Sequence, residues 1–301
     1  MLRLIVKSKI SLIIPVFNES NEIENFFNEL KNCNFDQVNE IIFVDDCSTD
    51  NSLSLLEKKI NEFKNLELKI NFLIIKGLKN RGYGFSIKKG VDNSNNDIIA
   101  IIDLDLTYKI EDLNILANMF IDENKHRYDL IAGQRKINTT NTSRIKVIGK
   151  AIINAVTNFC FDENIVDYNS GLRIFKKDKF LKHRHIMSDR FSLTTSMTIA
   201  FLNENYDIKF QQIKYEKRSG DSKLKFKDSF RFLYTIFSLL FYYKPFKVII
   251  PLILPLFIAF IVFLVKDIYS GNITDKTVLL FNFNFLSIIL IFIIDRINKL
   301  K

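Results

Sequence analysis

The sequence predicts an α/β fold, a mostly parallel sheet with helices on both faces, followed by an interfacial amphipathic helix and two transmembrane helices. Three observations carry this expectation. Apolar runs of strand length alternate with segments of helical period from Ile10 onward, the spacing that builds parallel sheets from strand–helix repeats. One such run ends on two carboxylates one residue apart, Asp103 and Asp105. Beyond about Asp228 the chain turns apolar. The expected division is a globular cytosolic domain over 1–227, long enough for one substantial core, an interfacial helix over 228–245, and a transmembrane hairpin over 246–301.

Residues 10–16 read as the first strand. They close in Pro15-Val16-Phe17-Asn18-Glu19 and lead into a helix that places Ile23, Phe26, Phe27 and Leu30 on one face. A second strand, residues 41–44, runs into Asp45-Asp46-Cys47-Ser48-Thr49-Asp50. The helix that follows starts near Asn51 and carries Leu53, Leu56 and Ile60; Ser48, Asp50 and Asn51 are all good N-caps. A third strand, residues 70–75, passes through Asn80-Arg81-Gly82-Tyr83-Gly84 into a helix bearing Ile87 and Val91.

Residues 97–107 read as the next strand, of the fully buried type. A strand alternates its side chains, so Asp103 and Asp105 leave on one face at its carboxyl end, where open α/β sheets bind their ligands. Hard oxygen ligands at that spacing suit Mg²⁺ or Mn²⁺. Such an ion takes its remaining ligands from phosphate oxygens and water, which points to a diphosphate-bearing substrate.

Two uncharged stretches, of 18 residues at 248–265 and 17 at 278–294, approach the length needed to cross a hydrocarbon core of roughly 30 Å. Pro251 and Pro255 are tolerated in a membrane helix. Asn282 and Asn284 suit interhelical hydrogen bonding, with a re-entrant second segment as the alternative. Lys244 and Lys247 before the first span, and Arg296, Lys299 and Lys301 after the second, place both ends in the cytoplasm. No apolar leader precedes a small-residue cleavage site, because 10–16 is short and serves as the first strand.

Net charge is +9, and ten basic residues stand against three acids between Lys209 and Lys247. Since this patch runs into the apolar hairpin, anionic headgroups or a lipid phosphate are favoured over nucleic acid. Phe226, Phe230, Leu233, Tyr234, Phe237, Leu240 and Phe241 recur at helical spacing just before the first span, as in an interfacial helix; a core-packing helix is the alternative. Cys33, Cys47 and Cys160 have neither disulfide nor zinc-ligand spacing, and His183 and His185 read as surface residues.

Taken together, Pro15 to Glu19, Val44 to Asp50, Asn80 to Gly84, Asp103-Leu104-Asp105 and Asn169-Ser170-Gly171-Leu172-Arg173 resemble the family 2 glycosyltransferases of the GT-A fold. Arg218-Ser219-Gly220-Asp221-Ser222-Lys223, followed by two spans, resembles the polyprenyl-phosphate branch of that family, which includes dolichol-phosphate mannose synthase. The resemblance covers nearly the whole chain and rests on the order and spacing of motifs that are individually loose.

The resemblance implies an inverting, metal-dependent transfer from a nucleotide-sugar donor to polyprenyl phosphate. It implies that Pro15, Asn18, Glu19, Asp45, Asp46, Asn80, Gly82 and Asp103 bind the donor. Asp105 then ligates Mg²⁺ or Mn²⁺ with help from Asp103, and Thr107 stands where many relatives supply a further ligand. Arg135, Arg144, Arg218, Ser222 and Lys223 are the implied contacts to lipid phosphate or diphosphate, a task suited to the planar fork of arginine. Around residues 192–197, where many inverting relatives present an acid, this chain has only hydroxyl residues. A sugar-hydroxyl acceptor would need a general base there; a phosphate monoester, with its second pKa at about 6, would not. Asp167 is a possible acid elsewhere, with a cap or loop role as the alternative.

The implied partners are donor, lipid acceptor and membrane lipids, with no nucleic acid, and homo-oligomerisation stays open. The implied location is the cytoplasmic membrane, multi-pass, with the catalytic domain facing the cytoplasm. A same-fold enzyme with another lipid or glycan acceptor, and a noncatalytic membrane scaffold, are the competing classes. Intact Glu19, Asp46, Asp103 and Asp105 argue against the scaffold.

Overall fold

In the computed structural model, residues 9–33, 37–64, 70–121, 128–135, 155–161, 167–214 and 226–299 are described. They fall into two compact units, one ending at Phe232 and the other made of 155–161 together with the chain from Leu233 onward.

The first unit is built on a seven-stranded sheet. Its strands are β1 (Ile10–Val16), β2 (Val38–Asp45), β3 (Asn71–Lys76), β4 (Ile98–Ile101), β5 (Leu130–Arg135), β6 (Arg173–Lys176) and β7 (Ile208–Ile213), in the order β3-β2-β1-β4-β6-β5-β7. β1 pairs in parallel with β2 and β4, and β2 with β3. β6 runs antiparallel to both β4 and β5, and β5 is parallel to β7. This is the GT-A arrangement, and the single reversed strand accounts for "mostly" in the expected parallel sheet.

Helices cover both faces. α1 (Ile23–Asn32) and α2 (Ser52–Lys64) bury Phe26, Phe27, Leu56 and Phe63 against the alternate β1 residues Leu12, Ile14 and Val16, with Phe27 stacked on Phe43 at 5.6 Å. α4 (Ile110–Ile121) joins the same cluster through Leu113, Leu116 and Phe120. α3 (Tyr83–Asn93) takes the other face. A Cβ at its Gly90 would lie 2.5 Å from Ile13, so helix and strand approach more closely than any larger residue allows. α5 (Lys177–His183) and α6 (Leu193–Asn203) complete the unit.

The structure corrects one expectation about the acidic pair. β4 ends at Ile101, where it pairs with Arg173, and Asp103 and Asp105 lie in the turn that follows, in which Leu106 has φ 56°. Burial still alternates through the turn, with Ile102 and Leu104 inside and the two acids less buried, so the pair shares a side without belonging to the strand. A second correction concerns His183. It is buried at the last turn of α5, one helical step from Phe180 and edge-on to Tyr206, and is not a surface residue.

The second unit holds the C-terminal helices. α7 (Phe226–Tyr243) crosses the division between the units; within the second it buries Ile236, Leu239 and Leu240 and leaves Tyr234 and Phe237 exposed. α8 (Pro245–Ser270) and α9 (Asp275–Lys299) are each long and apolar enough to cross a membrane. α8 begins on Pro245 and continues through Pro251 and Pro255. Gly271, at φ 67°, ends it in the left-handed conformation that a helix C-cap favours. Asn284 faces inward and donates to Leu280 O at 2.8 Å and to Leu256 O of α8 at 3.4 Å, whereas Asn282 is exposed and corrects the expectation that both serve the helix pair.

Candidate active site

A cavity of about 560 Å³ opens at the carboxyl ends of β1, β2 and β4, the position at which open α/β sheets place their ligands. Strand register brings these ends together: Val16 pairs with Asp45, Ile13 with Ile101, and the Asp46 N–H donates to Val16 O at 2.8 Å. Pro15, Glu19, Asp46, Asn80, Gly82, Asp103, Asp105, Thr107 and Arg135 all line the cavity. Its lining carboxylates, Glu19, Asp46, Asp103 and Asp105, come from the loops after these three strands.

Asp46 organises the entrance to α3. Its two oxygens accept the N–H groups of Arg81 and Gly82 at 2.8 and 2.7 Å. Gly82 reaches this geometry at φ 105°, a conformation that side chains resist, and a Cβ there would also meet the Arg190 side chain at 2.7 Å. The start of α3 docks on the segment before α6: Phe85 N–H donates to Asp189 O, and buried Lys88 reaches Met187 O and Asp189 Oδ1, both at 2.6 Å. The two loops that border the cavity are thereby held to each other.

The acidic turn is held from two sides. Thr107 donates to Asp105 Oδ1 through its hydroxyl at 2.7 Å and its N–H at 3.2 Å, which fixes that carboxylate. Gly171 approaches Asp103 so closely that a Cβ would lie 2.4 Å from Oδ2, and the Gly171 N–H donates to Tyr108 Oη at 2.8 Å. Burial, with the Asp103 charge adding to it, pushes the Tyr83 phenol well above its ordinary pKa. Burial also raises Tyr108, against the pull of Arg135. Both phenols therefore remain protonated at neutral pH.

Two carboxylates and a hydroxyl on one cavity wall form a hard oxygen donor set that fits Mg²⁺ or Mn²⁺. Among the described residues no group of three acidic, His or Cys side chains gathers around one point. The set therefore suits an ion that draws its other ligands from a substrate diphosphate and water, and does not suit a closed protein cage.

The rest of the lining includes basic and hydroxyl groups, Arg135, Arg190, Ser192 and Thr194. Arg135 forks onto Asp167 with Nε–Oδ2 at 2.7 Å and Nη2–Oδ1 at 2.8 Å. Asp167 thus anchors a cation and the loop after it, accepting the Asn169 N–H as well. Asn169 Oδ1 receives Thr194 Oγ1 at 2.7 Å, which ties that loop to α6. Arg173, fully buried, holds the same loop through Ser170 O, Tyr168 O and Thr198 Oγ1. Burial lowers its pKa to about 10, still high enough to keep the charge at neutral pH.

Not every expected donor contact faces the cavity. Asp45 accepts the Ser48 N–H at 3.2 Å, and Asn18, at φ 53°, exchanges hydrogen bonds with Ser48 and Thr49. Both brace the loops that carry Glu19 and Asp46. Arg144, Arg218, Ser222 and Lys223 lie outside the described residues. Sequence reasoning did not single out Tyr108 or Arg190, and gave no role to Tyr83 or Asn169 within their motifs, though all four line the cavity.

Residues 11–184 match the model of "Glycosyl transferase family 2". The undecaprenyl-phosphate 4-deoxy-4-formamido-L-arabinose transferase of Proteus mirabilis is 26% identical over 243 residues, covering 77% of this chain and 68% of that protein. The UDP-N-acetylglucosamine–dolichyl-phosphate N-acetylglucosaminyltransferase of Methanococcus voltae is 31% identical over 180 residues, 56% of this chain and 69% of that one. Among solved structures, the glucosyl-3-phosphoglycerate synthase of Mycobacterium tuberculosis, crystallised with Mn²⁺, UDP and glucosyl-3-phosphoglycerate, superposes with a TM-score of 0.58 at 12% identity, over 77% of this chain and 80% of that one. The family match spans β1 to α5 and so takes in Glu19, Asp46, Asp103, Asp105 and Arg135 of the cavity lining: the chain is a glycosyltransferase and belongs to family 2.

Proposed function

We propose that this protein transfers a sugar from a nucleotide donor to polyprenyl phosphate at a cytoplasmic membrane surface, with inversion at the sugar carbon and with Mg²⁺ or Mn²⁺ bound. The carrying observation is a single cavity lined by four carboxylates, Glu19, Asp46, Asp103 and Asp105, together with Arg135, Arg190 and the hydroxyls of Ser192 and Thr194. Relatives named for undecaprenyl phosphate and dolichyl phosphate support the choice of acceptor.

In this cavity, Glu19, Asp46 and Asn80 hold the nucleoside, with Pro15 shaping the floor. Asp105 ligates the ion, Asp103 supports it, and Thr107 keeps Asp105 in its working rotamer through the 2.7 Å bond. The ion, when bound, offsets negative charge on the departing diphosphate. Arg135 and Arg190, in the same lining, offer charge-assisted hydrogen bonds to an incoming phosphate. Asp167 orients Arg135 for this, while Ser192 and Thr194 supply hydroxyls. A phosphate monoester is already largely ionised near neutral pH and attacks without a protein base. This matches a lining that contains no carboxylate from 190 to 194. Arg144, Arg218, Ser222 and Lys223 extend the phosphate site in this reading. α8 and α9 anchor the protein as a hairpin, and their flanking lysines and arginines set both ends on the cytoplasmic side.

The test is to incubate membranes containing the protein with a panel of labelled nucleotide sugars, then separate lipid from aqueous products. Label should enter an organic-soluble product only when polyprenyl phosphate is present, and should be released by mild acid. Transfer to water-soluble glycan, or to lipid lacking a phosphate, would overturn the acceptor assignment.

A further inference from the structure

α9 carries two seams of heptad spacing, and among the described residues only one of them is covered. Thr277, Leu280, Asn284, Ser287 and Ile291 recur at steps of three and four and are buried or half-buried, with Asn284 reaching Leu256 O of α8. Leu279, Asn282, Leu286, Ile289 and Ile293 repeat the same steps two positions out of phase, about 200° round the helix. This second seam faces away from α8: Leu279 is 70% exposed and Leu286 64%. Each seam holds one asparagine. Asn282 lies inside the uncharged run 278–294, its side chain is exposed, and none of the described residues hydrogen-bonds it.

An amide brings two N–H donors and a carbonyl acceptor, and hydrocarbon satisfies neither. An apolar heptad seam interrupted by a single Asn is the pattern with which packed helices fix register and oligomeric state. We infer that the outer seam of α9 is a homodimer interface, in which the Asn282 amides of two copies hydrogen-bond to each other, N–H to carbonyl. The inference rests on the reading of α8 and α9 as membrane helices. Two copies inserted in the same sense stand parallel, so a two-fold axis along the membrane normal sets each seam residue against its own counterpart at the same depth. A second copy therefore supplies what the exposed amide lacks, both a donor and an acceptor at its own level, on an apolar seam of matching step.

The purified full-length protein, labelled at its amino terminus in separate batches with a donor and an acceptor dye, is reconstituted in phosphatidylcholine–phosphatidylglycerol vesicles. Energy transfer is then followed as lipid is added. In the parent, transfer above the level of random crowding should persist on dilution. Asn282→Leu keeps the seam apolar but removes the amides, and should weaken association by about 3–30-fold. Asn282→Gln, which keeps an amide, should recover part of the loss, and Phe283→Leu, exposed but off the seam, should leave association unchanged. A parent that is monomeric in these vesicles, where no other protein is present, would overturn the second copy as the partner. A dimer that Asn282→Leu leaves intact would overturn this seam as its interface. Alkaline extraction of the same vesicles tests the membrane reading separately: protein released from lipid would overturn that reading and this proposal with it, whereas protein retained yet monomeric overturns this proposal alone.

Discussion

The two units of this protein solve burial in opposite senses. In the sheet unit Ile13, Ile14 and Phe43 are inside, and carboxylates such as Glu19 and Asp105 stand at a cavity. In the helical hairpin Leu252 and Leu279 point outward, while Asp267, Thr277 and Asn284 are buried. The sheet unit gathers apolar groups inside; the hairpin gathers its few polar groups, Asp267 with Thr277 at the turn and Asn284 on Leu280 O and Leu256 O. Two acids make the contrast concrete. Asp105 accepts a threonine hydroxyl on Oδ1 and lines the cavity. Asp267 Oδ2 accepts Thr274 N–H, Thr274 Oγ1 and Thr277 Oγ1 at 2.7, 2.8 and 2.6 Å, at the turn between α8 and α9. Similar chemistry thus stands at a cavity in one unit and braces a turn in the other.

The sharpest way to break this contrast is Asp105→Asn. If Asp105 serves the reaction, the variant should fold and melt like the parent, yet transfer should fall by about 10²–10³-fold or more, since a ligand to the cation that would offset leaving-group charge is gone. Excess EDTA should produce a comparable loss in the parent. Steady-state rates and thermal scans on the same preparations check both halves. A variant within a few-fold of the parent rate would remove Asp105 from the chemistry.

Asp267→Ala should show the converse, with a smaller effect. Three donors lose their acceptor, which weakens the turn between α8 and α9. The hairpin should therefore unfold at lower temperature in detergent while the transfer rate below that temperature stays unchanged. Asp267→Asn, which keeps one acceptor oxygen, should recover part of the loss. A reduced rate with unchanged melting would place Asp267 with the functional acids and end the contrast.

How far the sequence carries depends on the distance over which each feature is written. Strands, helices and the hairpin follow from local periodicity, and the motif residues Glu19, Asp46, Asp103 and Asp105 meet because parallel strands place their carboxyl ends side by side. The alternation of burial around Asp103 was legible too, but not that β4 stops at Ile101, because that depends on pairing with β6, some seventy positions on. Arg135 was visible as a cation, whereas its partner Asp167 is set by the meeting of two connections. Nothing local marks Arg190 as a cavity residue. It lines the site because Lys88 and Phe85 dock its segment onto α3. Asn18 and Asp45 show a second role that the motif does not reveal, since both brace the loops that carry Glu19 and Asp46.

His183 offers the smallest test, and its misreading is instructive. The lack of a carboxylate or Cys at ligand spacing suggested a surface residue, yet the three-residue step from Phe180 puts it on the buried face of α5, against Phe201 and Tyr206. Helical spacing alone could have found this. Burial lowers its pKa from the ordinary 6.5, and the nearby Lys182 and His185 act in the same direction, while Glu204 acts against them. A base whose folded pKa is depressed binds its proton more readily in the unfolded chain. Its contribution to stability is therefore complete above pH 6.5 and declines as pH falls from there through the folded value. Thermal scans of the parent between neutral and mildly acidic pH should show a modest fall in Tm that His183→Asn reduces. Glu204 titrates in a lower window, since its pKa is held below 4.5 chiefly by the Lys182 hydrogen bond, so scans kept above pH 5 separate the two groups. An identical pH slope in parent and variant would show that the buried imidazole does not set the acid response of the sheet unit.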